Sequence, residues 1–335
     1  MPRFSRIQKL GAIAGCLFLV ACGDRDTEEN SGAEVVPISL QPDWYAQPEQ
    51  GGFYFALAEG LYDRADLRVT ILDTAPNLPF LQKVAKGEAT VGITRLDLLA
   101  AAVEKGLPLV VIGKYSEHAP SGIMVPAGSD IHDFADLDGK RVMATIYAPY
   151  VNYLQSHFGI KMRLIPHNWG MAQFVSGELD AQQCYITSEP YHVKRQGMET
   201  RTLIVADAGY DPPHVLYTSR ETLEANKDAL LRFFEASMAG WKGYLEADPS
   251  STHELIAKRN PKMDPDFMDW SRSVLIEEGV ISGRRPEIRE TWGKVSREEV
   301  SELIEQLLEV GELSDLSPDE LDWVDFDFSW EEVDA

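Results

Sequence analysis

"LRVTILDTAPNLPFLQKVAKGEATVGIT", residues 67–94, holds the pattern on which the fold turns. A β-branched apolar run, 67–72, leads into a loop with two prolines. Helical spacing follows around 80–86, and then a second apolar run at 89–94. Short apolar runs separated by a helix make a βαβ unit, with parallel strands buried under helices. The alternation extends outward in both directions. Upstream, "VPISLQ" reads as the first strand, and Phe53, Ala56, Leu57, Gly60 and Leu61 keep helical spacing. Downstream come a helix at 96–105 and "LPLVVIGKY" (107–115).

The theme then restarts. "KRVMATI" (140–146), a helix from Pro149, "MRLIPH" (162–167), a helix at 171–177, "AQQCYIT" (181–187), a helix from Glu189 and "TRTLIVAD" (200–207) form a second set. "GIMVPAG" (122–128) and "HVLYTS" (214–219) lie before and after it and read as crossings between lobes. The expected organisation is a signal peptide at 1–21, a tether at 22–36 and a first lobe from 37–124. A second lobe follows at 125–213, then the helical remainder of the first at 214–308 and an acidic extension at 309–335. In that helical part Leu230, Leu231, Phe234, Met238, Trp241, Tyr244 and Leu245 make one apolar stripe. The extension carries eleven acids and no Lys or Arg, interleaved with Trp323, Phe326, Phe328 and Trp330. It reads as a solvated tail whose aromatics pack on the first lobe.

A length of 335 residues suffices for two lobes. A hydrophobic content of 44% and a charged content of 25% suit a soluble globular chain. The net charge of −23 argues against a nucleic-acid partner, whose phosphates need a basic footprint. Arg3, Arg6 and Lys9 precede an apolar stretch, 10–21, too short to span a bilayer. It ends Leu19-Val20-Ala21-Cys22, the layout of a signal peptide with a bacterial lipobox, so Cys22 is the expected lipidation site and mature first residue. The polar stretch that follows reads as a flexible tether. Cys16 leaves with the signal and Cys22 is modified, so Cys184 has no partner for a disulfide; an inert thiol in a strand is the plain reading.

In open α/β sheets ligands sit beyond the carboxyl ends of the strands. The loops there contain Asn77, Thr94, Arg95, Tyr147, Ser188 and Glu189, with 41–54 joining from the first lobe. No nucleophile elbow, phosphate loop or dinucleotide fingerprint is present, and the seven histidines show no metal-ligand spacing. Neither a cofactor nor a metal is expected. Ser188 suits a helix cap before Pro190. Glu189 suits either the dipole of that helix or a ligand's N–H groups.

Three stretches carry a resemblance: Asp43-Trp44 with Gly51-Gly52-Phe53-Tyr54-Phe55-Ala56 and Glu59-Gly60-Leu61-Tyr62; Leu137-Asp138-Gly139-Lys140-Arg141-Val142; and Asp180-Ala181-Gln182-Gln183 with Thr187-Ser188-Glu189-Pro190. Over roughly 36–310 the chain resembles substrate-binding proteins of ABC importers, in the thiamine-pyrimidine-precursor branch related to sulfonate, nitrate and riboflavin binders. The resemblance implies an α/β, type II periplasmic-binding-protein fold, with two α/β lobes joined by two crossing segments. It implies a protein that hands its solute to a permease and its ATPase; with the lipobox, a non-enzymatic, monomeric, lipid-anchored protein of the cell envelope is expected. Relatives often have His where this chain has Gln50. The fungal pyrimidine synthases of the family carry a cysteine-rich run where this chain has "GYDPPH" (209–214).

The expected ligand is a flat, pyrimidine-like heterocycle. Trp44, Tyr54, Tyr147 and Tyr185 offer ring faces, and stacking adds about 0.5–1.5 kcal/mol beyond burial. Asp43, Asn77 and Glu189 offer acceptors for ring N–H groups, whereas a sulfonate or nitrate would find only Arg95 well placed. Riboflavin or a sulfonate or nitrate, a pyrimidine synthase, and a ligand-sensing adaptor are the alternatives. Trp44 as plain core is the competing reading of the opening motif.

Overall fold

Leu67–Ile71 forms β2 with alternate residues buried, the period of a strand covered on one face, whereas β3 (Val91–Arg95) and β4 (Leu109–Lys114) are buried throughout. With β1 (Val36–Gln41) and β10 (His214–Ser219) they make a sheet in the order β2-β1-β3-β10-β4. Within it β1 is parallel to β2 and β3, and β10 runs antiparallel between β3 and β4. A second sheet joins β5 (Ser121–Pro126), β6 (Arg141–Ala144), β7 (Arg163–Pro166), β8 (Ala181–Tyr185) and β9 (Thr200–Ile204) in the order β7-β6-β8-β5-β9. This computed structural model describes residues 35–75, 78–283 and 292–328. The signal segment 1–21, Cys22, most of the tether, Asn77 and Trp330 lie outside the described residues.

The architecture is two α/β lobes joined by two crossing segments, but the crossings are not where the sequence suggested. "GIMVPAG" and "HVLYTS" overlap β5 and β10, each the antiparallel strand inside its own sheet. All six residues of β10 are buried, as a strand between two neighbours requires and a linker does not. The chain passes between the sheets at 115–120 and at 205–213.

The helices are α1 (Gly51–Ala58), α2 (Leu61–Arg64), α3 (Phe80–Ala85), α4 (Leu96–Glu104), α5 (Pro149–Phe158), α6 (Ala172–Val175), α7 (Glu189–Arg195), α8 (Arg220–Glu246), α9 (Ser250–Arg259), α10 (Pro265–Glu277) and, next among the described residues, α11 (Arg297–Glu309). Their ends follow local chemistry. Ser219 Oγ accepts the Thr222 N–H to start α8, Asp264 caps α10 ahead of a proline, and Ser296 with Glu299 forms a capping box on α11. Gly51 and Gly52 let α1 lie directly on α8. A Cβ on Gly52 would come within 2.2 Å of the Trp241 ring, and one on Gly51 within 2.1 Å of Tyr244.

As far as residue 328, the extension after α11 is no free tail. Trp323 and Phe328 are buried, and Val324 pairs in parallel with Val111 on the open edge of β4. The Val111 N–H donates to Trp323 O (2.9 Å), and the Asp325 N–H donates to Val111 O (3.0 Å). Glu104 Oε1 accepts N–H groups from Ser314, Asp315 and Leu316, and Arg297 lies over the Phe326 ring at 4.2 Å.

Candidate functional site

β1 delivers the chain to Asp43 and Trp44 at its carboxyl end, beside the end of β3. Burial pushes the Asp43 carboxyl up to about 6, while Thr94 and the Arg95 charge pull it partly back. Thr94 is fully buried, and its Oγ1 completes no well-formed hydrogen bond. Arg95 is clamped bidentately by Asp97, through Nε (3.0 Å) and Nη2 (2.7 Å), and Tyr210 OH also donates to Asp97 (2.8 Å). Beside the guanidinium lies His214, which burial and the Arg95 charge drive down to about 3, so the imidazole is neutral. From the second lobe Tyr185 faces Arg95. Its burial raises the phenol to about 12 against the pull of that charge.

Glu49, which the sequence reading did not single out, reaches across to the second lobe. It lies in the short 3-10 turn Pro48–Gln50, and its Oε1 accepts the Thr187 hydroxyl. Its Oε2 is buried and unpartnered. Burial lifts the carboxyl to about 7, and the nearby Glu189 charge adds to the rise. Glu189 opens α7, and one of its oxygens accepts the Tyr185 N–H at 2.8 Å. Its carboxyl is raised by burial, with that hydrogen bond opposing. The expected Ser188 cap is absent. Ser188 has φ −136° and ψ −81° with no side-chain capping bond, and the Glu189 carboxylate folds back onto the strand end instead.

Trp44 is half-buried, and its ring meets Trp169 of the second lobe at 5.0 Å and 39°. Trp169 is 61% exposed and holds φ +63°, a strained backbone for an aromatic residue. The strain is held by local bonds. The Trp169 N–H donates to His167 Nδ1 (3.3 Å), and the Gly170 N–H donates to Asn168 Oδ1 (2.9 Å). Gln50, where relatives often have His, donates through Nε2 to Trp44 O (2.9 Å) and so fixes the loop that carries the ring. Its Oε1 is buried without a partner. Tyr115, stacked on Trp241 at 5.5 Å, closes the group from the first crossing segment. Burial and the Asp43, Tyr185 and Glu49 charges raise its phenol well above the usual range.

Asp43, Trp44, Thr94, Arg95, Tyr185 and Glu189 thus form one neighbourhood. The buried Tyr54 ring is 6.0 Å from the Arg259 guanidinium, on the side of Asp73 and α9. Tyr147 stands 87% exposed in the turn between β6 and α5. The opening motif therefore divides its labour. Asp43, Trp44 and Glu49 belong to the cleft, while Gly51, Gly52 and Phe53 belong to the α1–α8 core. Thr187 stood in a quoted motif without a role. Trp169 stood in a loop singled out for its composition, and the signal that could have raised it is its place before Gly170 in a turn.

The chain matches the NMT1/THI5-like family over residues 47–251. It belongs to that family. A Legionella pneumophila relative, a 4-amino-5-hydroxymethyl-2-methylpyrimidine phosphate synthase, is 30% identical over 105 residues, 31% of this chain and 33% of that protein. Across the curated relatives the matched region is between 30% and 48% of their own length. Among solved structures, a periplasmic sulfonate-binding protein from Methylobacillus flagellatus aligns with TM-score 0.63 at 12% identity, over 88% of this chain and 93% of that one. The periplasmic nitrate-binding protein of Synechocystis aligns with TM-score 0.63 at 14% identity, over 88% and 87%. The fold of this NMT1/THI5-like chain is accordingly that of the type II periplasmic-binding proteins.

Proposed function

We propose that this chain is a solute-binding protein of an ABC import system, capturing a small heteroaromatic solute such as a pyrimidine precursor of thiamine. One observation carries the reading. Three half-buried carboxyl side chains with raised pKa values, Asp43, Glu49 and Glu189, share a cleft in which Arg95 is already paired to Asp97. Such a site favours a ligand with several N–H donors and penalises an anion, which would lie among acids with no free guanidinium among the described residues to meet it. A sulfonate or nitrate is disfavoured on that ground. Trp44 and Trp169 supply aromatic faces for a flat ring.

In this proposal the two lobes, joined by the crossings at 115–120 and 205–213, close on the ligand as a hinge. The work is binding, not catalysis. The chain is a monomer held outside the cytoplasm by a lipid on Cys22, and it docks on a permease whose ATPase drives import.

Calorimetric titration with aminopyrimidines, riboflavin, taurine and nitrate tests the reading. Heat from an aminopyrimidine and none from the anions is expected; tight binding of taurine or nitrate with silence from the heterocycles overturns it. The name of the Legionella relative favours a second reading, a pyrimidine-phosphate synthase. That reading calls for product released on turnover, where the first calls for unaltered ligand retained through purification. Mass spectrometry separates them.

A further inference from the structure

We infer that Glu49 is a ligand-reading residue that enters the site only on closure, where it and Glu189, one from each lobe, form an opposed carboxyl pair selecting a cationic N–H donor. This rests on reading the cleft as the solute site. The geometry is specific. Glu49 Oε1 is held by the Thr187 hydroxyl, two residues before Glu189, so the bond that docks Glu49 on the second lobe also brings the two acids together. Glu189 is held in turn by the Tyr185 N–H. Glu49 Oε2 is buried with no partner, an acceptor left open in a closed cleft.

Among the described residues, the groups around Glu49 offer it no cation. Tyr115 from the crossing segment and Tyr244 from α8 lie near enough to feel its charge. The Tyr244 hydroxyl is paired with His253 Nε2 at 3.0 Å. On α10, which packs against the Pro48–Gln50 turn, Asp269 pairs with His253. Arg272 donates to the carbonyls of Tyr244, Leu245 and Ala247, and Asp264 caps the helix while accepting from Arg195. Two facing carboxyls in a desolvated space cannot both stay charged without a cation between them. The closed, ligand-free molecule therefore keeps a proton on the pair, and a protonated aminopyrimidine takes that proton's place.

The ligand-free arm of the test is small-angle scattering of the full chain between pH 5 and 8.5. Wild type is expected to be compact at low pH and to open as pH rises through about 7, the value to which Glu49 is lifted. Glu49→Gln should stay compact across the range, and Thr187→Val should be open throughout. The ligand arm compares a neutral 4-aminopyrimidine with its N-methylated, permanently cationic form at pH 8. Wild type should prefer the cation by about tenfold, and Glu49→Gln should lose that preference. Identical scattering profiles and identical selectivity in wild type and Glu49→Gln overturn the inference. If no heterocycle binds while the pH-dependent closure persists, the carboxyl pair stands and the pyrimidine reading falls. If the heterocycle binds both proteins alike at pH 6 and 8, the pair falls and the pyrimidine reading stands.

Discussion

At the cleft the lobes touch through Glu49 and Thr187, through Trp44 and Trp169, and where Arg95 lies beside Tyr185. Around α11 they share one apolar cluster. That cluster runs from Leu99 of α4 and Val111 of β4, through Leu154 of α5, to Ile304 of α11 and on to Leu313 and Trp323. Hydrogen bonds reinforce it: Asn152 Nδ2 donates to Glu312 (2.6 Å), and Gln306 Nε2 donates to Gly209 O (3.0 Å). Dispersion and burial are insensitive to protonation and hold one arrangement. The cleft contacts include aromatic ones, Trp44 on Trp169 and Tyr191 on Phe267 and Trp270, but the Glu49–Thr187 bond is tied to an acid whose pKa burial has raised, so a ligand or a proton can shift it. The difference separates contacts held by packing alone from contacts that a change of charge can alter.

The largest test strikes the apolar side. Trp323→Ala removes a buried indole from the extension and should cost about 3–5 kcal/mol of stability, read as a fall in the denaturation midpoint. An unchanged midpoint would mean that the segment after α11 is dispensable, and the contrast would collapse. At the cleft the effect should fall on binding instead. Trp44→Ala should cost about 2–4 kcal/mol of ligand affinity by calorimetry, with the midpoint nearly unmoved. Loss of stability with affinity intact would place Trp44 in the core. Glu189→Gln exchanges a charged acceptor for a neutral one while the Tyr185 N–H keeps a partner, so about 1–2 kcal/mol of affinity is expected to go. A full-strength isotherm would remove Glu189 from the ligand's reach.

The smallest effect concerns the crossing segments themselves. His118 Nδ1 lies 2.6 Å from Asp211 Oδ2, one residue on each crossing, and the Ala119 N–H donates to Asp211 Oδ1 (2.7 Å). The hydrogen bond to Asp211 raises the His118 pKa above its ordinary 6.5. A raised folded-state value means that the pair contributes fully below about pH 6.5 and that the contribution is lost as pH climbs through the higher value. With the histidine side chain 33% exposed, less than about 1 kcal/mol is at stake. The stability difference between wild type and His118→Ala, followed from pH 5.5 to 8.5, should shrink as pH rises. A difference that grows would reverse the sign and exclude a charged pair.

Much of the candidate site was legible because it follows the strand ends. Asp43 after β1, Thr94–Arg95 ending β3 and Glu189 opening α7 occupy the carboxyl edges of their sheets, where an alternating pattern locates them from sequence. For Tyr54, helical spacing does not say which side of a buried helix its ring faces, and the ring lies beside Arg259. Ser188 has the composition of a cap, but the Tyr191 N–H it would accept donates to the Ser188 carbonyl instead (3.2 Å), while the Glu189 carboxylate takes the strand-end Tyr185 N–H.

Hydrophobic period, caps and turn residues act over a few positions, and from them the alternation of strands and helices and two α/β lobes could be read before any coordinates. Contacts between distant residues obey no such period. That Glu49 meets Thr187, that the lobes are crossed at 115–120 and 205–213, and that an acidic tail lays Val324 along the edge of β4 depend on how finished sheets and helices pack. Those pairings come from partners that approach only once the chain is folded, where burial, which raises a carboxyl and rewards an indole, acts on the three-dimensional neighbourhood.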